Sequence, residues 1–359
     1  MLSQCSGGYR SYFINVIIPL TRSLNEKKIW TQVLIPQSSL VEYKRFLKLG
    51  HYIAVSKNKR GFSRILYERN LISSLIKEHT FTKVFTPYQI GPTFRNVVSI
   101  LMFRNMEPYI ASRYTYPIKN KLRSFLLRKL GKQNLQNADH VIAVSKFTSE
   151  FLLENTKVQS KKIHVIPHGI KSEEKLSSQE TDIFLSVGSM MPYRRYEDVI
   201  AAFEKFKTHN QNRVQLVLVG GGSDDQYAQK INNLIENSQF KNDILIKGKL
   251  SHQEVINLYT QCKIFIMSSE IEACPNTALE AMAYSCCIIS SENKPMPEFF
   301  GNAAMYYPRR DVNHLYKCID TCYNDPRKRQ KMKNSAFKRS EIFTWTQTLE
   351  KTYNLLKNT

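Results

Sequence analysis

The sequence predicts an α/β protein of two domains, each a doubly wound parallel sheet covered by helices on both faces. Three observations indicate this fold class. The 359 residues exceed what one ordinary hydrophobic core accommodates, so the length favours two domains. Short, nearly continuous apolar runs alternate with amphipathic helical segments, as in buried parallel sheets. A polar stretch at residues 171–182 separates two halves that share this rhythm.

The individual elements follow from hydrophobic periodicity. In the first half, β-rich runs lie at residues 30–36, 51–56, 83–88, 96–102, 140–145 and 163–169. Helices are predicted between them at residues 9–24, 62–79, 117–130 and 146–155. In the second half, β-rich runs lie at residues 183–189, 214–222, 243–250, 263–269, 286–292 and 303–308. Helices are predicted there at residues 196–208, 227–239, 251–262, 276–284 and 311–323. Ligands of such sheets bind at the carboxyl ends of the strands, which predicts a site in the cleft between the two domains.

Apolar and cysteine content are those of a cytoplasmic globular protein. Apolar residues make up 42% of the chain, and no apolar run approaches the length of a membrane-spanning helix. A secretory signal is not expected, because Asn15 and Pro19 interrupt the apolar piece near the start. The seven cysteines form no C-x-x-C pair, which predicts reduced thiols rather than a disulfide framework or a zinc site. Cys318 and Cys322 lie four apart on a predicted helix, where core packing is the favoured interpretation.

Positive charge is concentrated in the first half. Residues 1–170 carry 27 Lys and Arg against 8 Asp and Glu, whereas the whole chain has a net charge of +22. An anionic partner is therefore expected to meet the first half. Residues 116–134 contain six Lys and Arg and no acid, with apolar side chains along one helical side. Such a helix suits an anionic membrane surface, but its apolar stripe could instead pack on the sheet, leaving only a solvated basic face.

Two strand ends in the second half have the composition of a phosphate site. Gly188 and Ser189 end one strand and are followed by Arg194 and Arg195, whose forked donors suit a diphosphate. A solvated basic helix start explains the arginine pair as well. The triple glycine at residues 220–222 lacks the spacing of a dinucleotide fingerprint, and a tight strand-to-helix turn explains it equally.

Glu272 and Glu280 flank a predicted helix start. Eight residues on one helix would place them about 80° apart, but Pro275 favours a helix that begins near it, with Glu272 in the preceding loop. The first helical turn then offers its N–H groups to a phosphate. Glu280 could accept hydrogen bonds from a ribose diol, and Glu272 could stabilise charge at an anomeric carbon. Both glutamates could also simply be exposed.

Several segments, in consistent order, resemble the retaining glycosyltransferases of family 4. "EACPNTALEAMA" is similar to the family's paired-glutamate motif and "GSMMPYRRYEDVIAAF" to its donor-phosphate loop. "NADHVIAVSKFTSEFLLE", "KKIHVIPHGI" and "MPEFFGNAAMYYPRRDV" resemble further family segments. The resemblance implies the GT-B fold, with two Rossmann-like domains facing a cleft. It assigns residues 1–170 to an acceptor-side domain, 171–340 to a nucleotide-sugar domain and 341–359 to a closing helix.

The resemblance also implies site residues. Glu272 and Arg194 would act in catalysis, Glu280 would bind the nucleotide ribose, and Arg104 and Asn105 would lie on the sugar or acceptor side. The remaining donor-binding positions would be Gly7, Gly8, Gly188, Ser189, Arg195, Lys249, Leu250, Ala273, Cys274, Pro275, Asn276 and Thr277. No metal site is implied, and the nucleotide-diphosphate sugar would be a co-substrate rather than a cofactor.

Three of the departures from the family pattern bear on the site and on the first strand. Ser189 stands where the family usually has an arginine, a charge that Arg195 could supply. Arg104 and Asn105 stand where many members have His-Asp or His-Asn near the donor sugar, so the usual histidine role has no counterpart. Only six residues precede Gly7, so the first strand is expected to be shortened or to begin upstream. A sheet that lacks a central strand has exposed edges, and poor stability is expected of a chain that starts at Met1.

The expected activity is metal-independent hexosyl transfer, with retention, from a nucleotide sugar to a glycan or lipid-linked acceptor. The resemblance implies a role in cell-surface polysaccharide or lipopolysaccharide synthesis. The protein is expected in the cytoplasm, bound peripherally to the inner face of the membrane. Two alternatives stay open. One is an inactive or epimerase-like GT-B protein, and the other is a basic nucleic-acid-binding protein, although no nucleic-acid-binding module is visible and such a partner is not expected.

Overall fold

The computed structural model describes residues 8–36, 52–55, 61–171, 179–210, 212–221 and 225–359. Gly7, a predicted donor-binding residue, lies outside these ranges, as does Cys5. The chain forms two compact units. Unit 1 contains residues 1–105, 125–169 and 345–359, and unit 2 contains residues 106–124 and 170–344. Residues 106–124 thus group with the second half of the chain, although they precede its first strand by more than fifty positions.

Each β-rich run of the sequence overlaps a strand. The strands are β1 Val33–Pro36, β2 Tyr52–Val55, β3 Lys83–Thr86, β4 Val98–Phe103, β5 His140–Ala143, β6 Ile163–Val165, β7 Thr181–Val187, β8 Gln215–Val219, β9 Ile244–Gly248, β10 Cys262–Met267, β11 Ile288–Ser291 and β12 Ala304–Tyr307. All of the pairings between them are parallel. The predicted parallel α/β class is therefore confirmed.

Unit 2 is a six-stranded sheet in the order β12-β11-β10-β7-β8-β9. The chain reverses its direction of winding between β7 and β10, the adjacent central strands, which are in register at Phe184 with Ile264. In doubly wound sheets, ligands bind at the carboxyl edge beside this reversal. A ligand site is therefore expected at the loops after β7 and β10.

Helices cover both faces of the unit 2 sheet. The longer ones are Tyr196–His209, Asp225–Glu236, His252–Gln261, Asn276–Ala283, Val312–Asn324 and Pro326–Ser340. Neighbouring residues of β7 serve opposite faces, since Phe184 packs in one buried apolar cluster and Leu185 in the other. This alternation arises because successive side chains of a strand point to opposite sides. Cys318 and Cys322 are buried in the first cluster, as the sequence predicted.

Unit 1 contains two separate sheets in the described residues, β1-β2 and β3-β4-β5-β6. Its longer helices are Gly61–His79, Lys146–Asn155 and Trp345–Asn358, together with a helix at the start that comprises Gly8–Tyr12, a π-helical turn Phe13–Ile17 and Ile18–Glu26. The buried Tyr12 contacts Thr352 and the Trp345 ring, which joins the two ends of the chain. Residues before Gly8 lie outside the described ranges, so the shortened first strand stays a prediction.

The sequence allowed two arrangements of helix Ile118–Asn137. In the structure, the helix differs from the arrangement in which the apolar stripe packs on the sheet. Its apolar stripe does not pack on a sheet, because Ile118, Leu122, Phe125 and Leu126 are all exposed. The protein instead buries the side that carries Ser124, Gly131 and Leu135. Leu135 is fully buried on this side, and Ser124 and Gly131 add little bulk beside it. In the described part of the chain, no helix has the length and apolar character needed to cross a bilayer.

Gly220, at the end of β8, is predicted to tolerate no side chain. Its φ is +148°, and a Cβ there would lie 1.7 Å from the Gly188 carbonyl oxygen. Gly220→Ala should therefore lower the free energy of unfolding by roughly 2–3 kcal/mol, measured by urea denaturation. Gly221→Ala is the matched control, because its Cβ would meet only Lys249 at an ordinary 3.7 Å. Equal effects of the two changes would contradict this account.

Candidate functional site

The loops after β7 and β10 meet at a buried ion pair. Arg194 ends a short 3₁₀ turn, Pro192–Arg194, in the first loop, and Glu272 lies in the second. Arg194 Nη1 lies 2.5 Å from Glu272 Oε1 and donates to Ser269 Oγ at 3.1 Å. Both charged side chains are largely shielded from water. The structure thus brings together the two residues that were assigned to catalysis.

Gly188 makes room for the Arg194 guanidinium. A Cβ at position 188 would lie 3.0 Å from Arg194 Cζ, closer than side chains normally approach. Arg194 Nε is buried without a hydrogen-bond partner among the described residues. Burial acts to lower the pKa of Arg194, but the Glu272 carboxylate holds it above its ordinary value, so the guanidinium stays charged. Burial also raises the pKa of Glu272, against the effect of Arg194. The site therefore retains a fixed positive charge with an unused donor.

Arg195 does not join this pair. It adopts a left-handed backbone with φ of 55°, and its guanidinium binds Asp198 through two contacts of 3.0 and 2.7 Å. Its Nη1 also lies 2.9 Å from Glu197. These acids begin helix Tyr196–His209, so Arg195 stabilises the start of that helix. The family usually has an arginine at the position of Ser189, and Arg195 was predicted to supply the missing donor-binding charge. Since its guanidinium is paired with Asp198 and Glu197, the geometry does not support that role.

Helix Asn276–Ala283 begins beside Glu272 without a side-chain cap. Pro275 occupies the N-cap position and provides no side-chain acceptor for the first turn. A helix start of this kind presents N–H groups and the positive end of the helix dipole to an anion. Thr277 Oγ1 is buried without a hydrogen-bond partner in the described part of the chain. Ala273 is buried and Cys274 half-buried on the approach to this helix.

Glu280 lies in the second turn of the same helix and is half-buried. Tyr259 donates its hydroxyl to Glu280 Oε2 at 3.2 Å. Burial raises the pKa of Glu280 to about 7, and the tyrosine hydrogen bond only partly opposes this. Glu280 is thus a carboxyl group that is half ionised near neutral pH and can change its charge when a ligand binds.

The end of β9 adjoins the end of β8. Gly220 N–H donates to the Gly248 carbonyl at 2.8 Å, and Gly221 faces the Lys249 side chain. Leu250 is half-buried against an apolar cluster of unit 2. A hydrogen bond from Ser189 acts to lower the pKa of the half-buried Tyr193, although burial raises that pKa overall. Lys249 and Leu250 therefore lie at the same carboxyl edge of the sheet as Gly188.

Gly8, Arg104 and Asn105 belong to unit 1. Gly8 is the first residue of a helix. The Arg104 guanidinium carbon lies 5.4 Å from the Tyr9 ring centre and 5.8 Å from that of Tyr12, which is cation–π geometry. The Asn105 carbonyl accepts a hydrogen bond from Gln89 Nε2 at 2.9 Å. Arg104 is thus packed against two tyrosines of the first described helix, which begins at Gly8.

A second buried carboxylate, Glu270, was not identified from the sequence. Its side chain is 2% exposed and is bound by Tyr114, Arg309 and Arg310. Burial alone would raise its pKa, but hydrogen bonds from the two arginines and the tyrosine lower it to about 2. Its backbone N–H donates to the Tyr193 carbonyl at 2.8 Å, which ties the β10 loop to the β7 loop. The arginine pair after β12 was the available signal, since β10 and β12 end at the same sheet edge.

No metal-binding cluster is found in the described ranges, where no three or more His, Cys, Asp and Glu side chains group suitably. Metal independence stays a prediction. The six described cysteines are free thiols, and all except Cys274 are buried.

Comparisons with known proteins give a consistent family. The sequence profile described as Glycosyl transferases group 1 matches residues 169–339, and that described as Glycosyltransferase Family 4 matches residues 15–174. The serotype-specific mannosyltransferase WbdA of Escherichia coli is 24% identical over 242 residues, or 63% of this chain and 29% of WbdA. The O-antigen chain mannosyltransferase RfbU of Salmonella typhimurium is 24% identical over 233 residues, or 65% of this chain and 62% of RfbU. The chain thus spans less than two thirds of these relatives.

Solved structures support the fold. A glycosyltransferase from Rickettsia africae has a TM-score of 0.74 at 20% identity, covering 100% of this chain and 96% of that one. Anabaena HepE in complex with UDP-glucose has a TM-score of 0.78 at 12% identity, covering 100% and 98%. WaaG, a glycosyltransferase involved in lipopolysaccharide biosynthesis, has a TM-score of 0.72 at 12% identity, covering 97% and 96%. At such identities the likeness concerns the fold, and the predicted GT-B fold is confirmed.

Proposed function

Since the chain belongs to the glycosyltransferases of family 4, we propose that it transfers a sugar from a nucleotide-diphosphate donor to a hydroxyl of a glycan or lipid-linked acceptor. The observation that carries the proposal is Arg194, whose side chain is only 14% exposed, next to an uncapped helix start. Together they provide a fixed positive charge, an unpartnered Nε donor and the hydroxyl of Thr277. A diphosphate is the leaving group that such an arrangement suits, because it spreads negative charge over several oxygens.

Glu280 is the proposed ribose ligand. A ribose diol offers two hydroxyl donors, and a carboxylate can accept both. Its partial ionisation near neutral pH means that donor binding selects the charged form. Lys249 and Leu250, at the neighbouring strand end, are proposed to meet the nucleotide base through backbone groups.

Glu272 and Arg194 are proposed to act on the transferred sugar and its phosphate. Arg194 stabilises the charge that develops on the departing diphosphate, and Glu272 binds a sugar hydroxyl or stabilises positive charge at the anomeric carbon. In a retaining front-face reaction, the leaving phosphate oxygen takes the proton of the acceptor hydroxyl. No side chain is therefore assigned as general base, and a fixed guanidinium takes the place that a metal ion has in other transferases.

The names of two relatives narrow the range of acceptors in this proposal. RfbU is named an O-antigen chain mannosyltransferase, and a Campylobacter jejuni relative, 24% identical over 257 residues, is named for a diphospho-undecaprenol acceptor. The first name supports a role in cell-surface polysaccharide or lipopolysaccharide synthesis, and the second supports a lipid-linked acceptor. The cytoplasmic side of a membrane is the place proposed for the reaction. The test is a panel of UDP and GDP sugars with lipid-linked glycan acceptors, read by mass. A product heavier by one sugar is expected. An epimerised donor, which has the same mass and would be identified by NMR spectroscopy of the recovered nucleotide sugar, would establish the epimerase-like alternative instead.

Glu280 provides the sharper test of the donor site. Glu280→Ala and Glu280→Gln should weaken donor binding about 10- to 100-fold, because the ribose hydroxyls lose a charged acceptor. Calorimetric titration with the active nucleotide sugar measures the affinity. Glu236→Gln, at a highly exposed glutamate of unit 2, is the control and should bind normally. Unchanged affinity in both Glu280 variants would exclude the ribose role.

The pH dependence of donor binding follows from the raised pKa of Glu280. Since that pKa is about 7 without ligand, the carboxyl group is mostly protonated below neutrality. Hydroxyl donors favour the ionised form, so binding releases a proton and should strengthen up to about tenfold from pH 6 to 8. Titrations in buffers of different ionisation enthalpy should detect this proton release. Glu280→Gln should abolish the release, and a release that persists in this variant would assign it to another group.

A further inference from the structure

Helix Ile118–Asn137 exposes an apolar stripe that nothing in the donor site uses. Its members are Ile118, Leu122, Phe125 and Leu126, with exposures of 85%, 58%, 51% and 39%. At about 100° per residue, these four positions fall within an arc of about 100°. Ser124, Gly131 and Leu135 are buried on the opposite side. The helix is therefore held to the protein by one side and presents its bulkiest apolar side chains outward.

Basic side chains border the stripe on both edges. The helix carries Lys119, Lys121, Arg123, Arg128, Lys129 and Lys132 and contains no acidic residue. By helical position, Lys119 lies beside Leu126 on one edge, and Lys121 lies on the other, beyond Phe125. The Arg128 guanidinium lies 5.6 Å from the Phe125 ring centre. Apolar centre and basic borders together form one surface, which we call the basic apolar face.

An exposed cluster of large apolar side chains usually marks an interaction site. The charges decide which partner this one fits. A second copy of the chain in a two-fold contact would bring identical basic borders together, and like charges repel. Nucleic acid would satisfy the lysines but would leave Ile118, Leu122 and Leu126 in water. An anionic lipid surface satisfies both, since it offers acyl chains beneath negatively charged headgroups.

We propose that the basic apolar face docks on an anionic lipid bilayer, with the helix lying parallel to the membrane. Ile118, Leu122 and Phe125 enter the boundary between headgroups and acyl chains, and Lys119 and Lys121 bind lipid phosphates. The concentration of positive charge in residues 1–170 adds long-range attraction to the same surface. The inference does not depend on the donor site, so either proposal can fail while the other stands.

Vesicle co-sedimentation of the full chain tests this proposal. Vesicles of phosphatidylcholine mixed with phosphatidylglycerol should bind the protein at least about tenfold more strongly than phosphatidylcholine alone, with binding that weakens as salt rises. Leu122→Gln with Phe125→Gln should reduce binding about tenfold. Lys119→Glu with Lys121→Glu should reduce it at least as much. All four positions are exposed, so thermal unfolding of the variants should stay near that of the parent.

Matched controls change the same residue types elsewhere. Leu234→Gln with Ile342→Gln alters two exposed apolar residues of unit 2, and Lys317→Glu with Lys331→Glu alters two exposed lysines there. Both controls should bind vesicles normally. Equal losses in the controls would overturn the proposal, as would equal binding to neutral and anionic vesicles. Loss of self-association in Leu122→Gln with Phe125→Gln, with vesicle binding intact, would overturn it in favour of a contact between copies.

Discussion

Replacing Arg194 with methionine is expected to lower kcat/KM for sugar transfer by about a thousandfold. This is the loss that typically follows removal of one preorganised group that stabilises transition-state charge. The group is preorganised here because Gly188 leaves space for the guanidinium, while Ser269 and Glu272 hold Nη1. The measurement is steady-state transfer with the nucleotide sugar identified in the donor panel.

Stability must be separated from catalysis in this variant. Arg194→Met leaves the Glu272 carboxylate buried without its counter-ion, which should lower the free energy of unfolding by about 3 kcal/mol. Combining it with Glu272→Gln removes the buried charge and should return stability to within about 1 kcal/mol of the parent. The double variant should remain inactive. Restored activity together with restored stability would show that Arg194 serves only to fold the loop.

Arg195→Met is the matched control for Arg194→Met. The two arginines are adjacent, yet Arg195 is committed to Asp198 and Glu197 at the start of the next helix. Arg195→Met should therefore lower the free energy of unfolding by about 1–2 kcal/mol. Its kcat/KM for sugar transfer should stay within about tenfold of that of the parent. Equal catalytic losses in the two variants would return Arg195 to the donor-binding role that the sequence alone suggested.

The sequence predicted the strands of this fold and most of its longer helices because their signals are local, although helix Pro326–Ser340 was not predicted. Each strand from Val33–Pro36 to Ala304–Tyr307 coincides with an apolar run to within two residues at its start and three at its end, or lies inside it, and the β-branched content of these runs indicates strands. The helix that begins at Asn276 was predicted from Pro275, whose ring suits a helix start. Periodicity and capping depend on neighbours along the chain, which a single sequence contains.

What the sequence could not predict depends on partners that are distant along the chain. Tyr114 and Glu270 are 156 residues apart, and no spacing rule relates them. Arg194 and Arg195 are identical in type, and only the fold turns one toward Glu272 and the other toward Asp198. Helix Ile118–Asn137 has a clear apolar stripe, yet the protein packs against the other side, which carries Ser124, Gly131 and Leu135. Amphipathic patterning identifies the two sides of a helix but does not decide which one the protein covers.

Glu270→Gln is expected to have the second large effect, which is a loss of stability. The change removes a buried negative charge from between Arg309 and Arg310, which are themselves about half exposed. Allowing for water around those arginines, the free energy of unfolding at pH 7 should fall by about 2 kcal/mol, measured by urea denaturation. Glu236→Gln, at an exposed pair with Lys241 3.9 Å apart, should change it by less than about 0.5 kcal/mol.

The pH dependence distinguishes a charge effect from a packing defect at Glu270. The folded pKa of about 2 lies below the ordinary glutamate value of 4.5, so the carboxylate stabilises the fold above that value. This stabilisation is lost as the pH falls from 4.5 toward 2. The stability difference between parent and Glu270→Gln should therefore shrink over that range. A difference that stays constant with pH would indicate lost packing.

Glu270 also bears on activity, through position rather than chemistry. Its backbone N–H holds the Tyr193 carbonyl next to Arg194, and its side chain fixes the loop two residues before Glu272. Loosening that loop moves both members of the catalytic pair, so Glu270→Gln should raise the donor KM by several fold while kcat falls less than in Arg194→Met. Glu270→Asp keeps the charge and should recover part of the loss. Loss of kcat as complete as in Arg194→Met would instead mean that Glu270 itself meets the substrate.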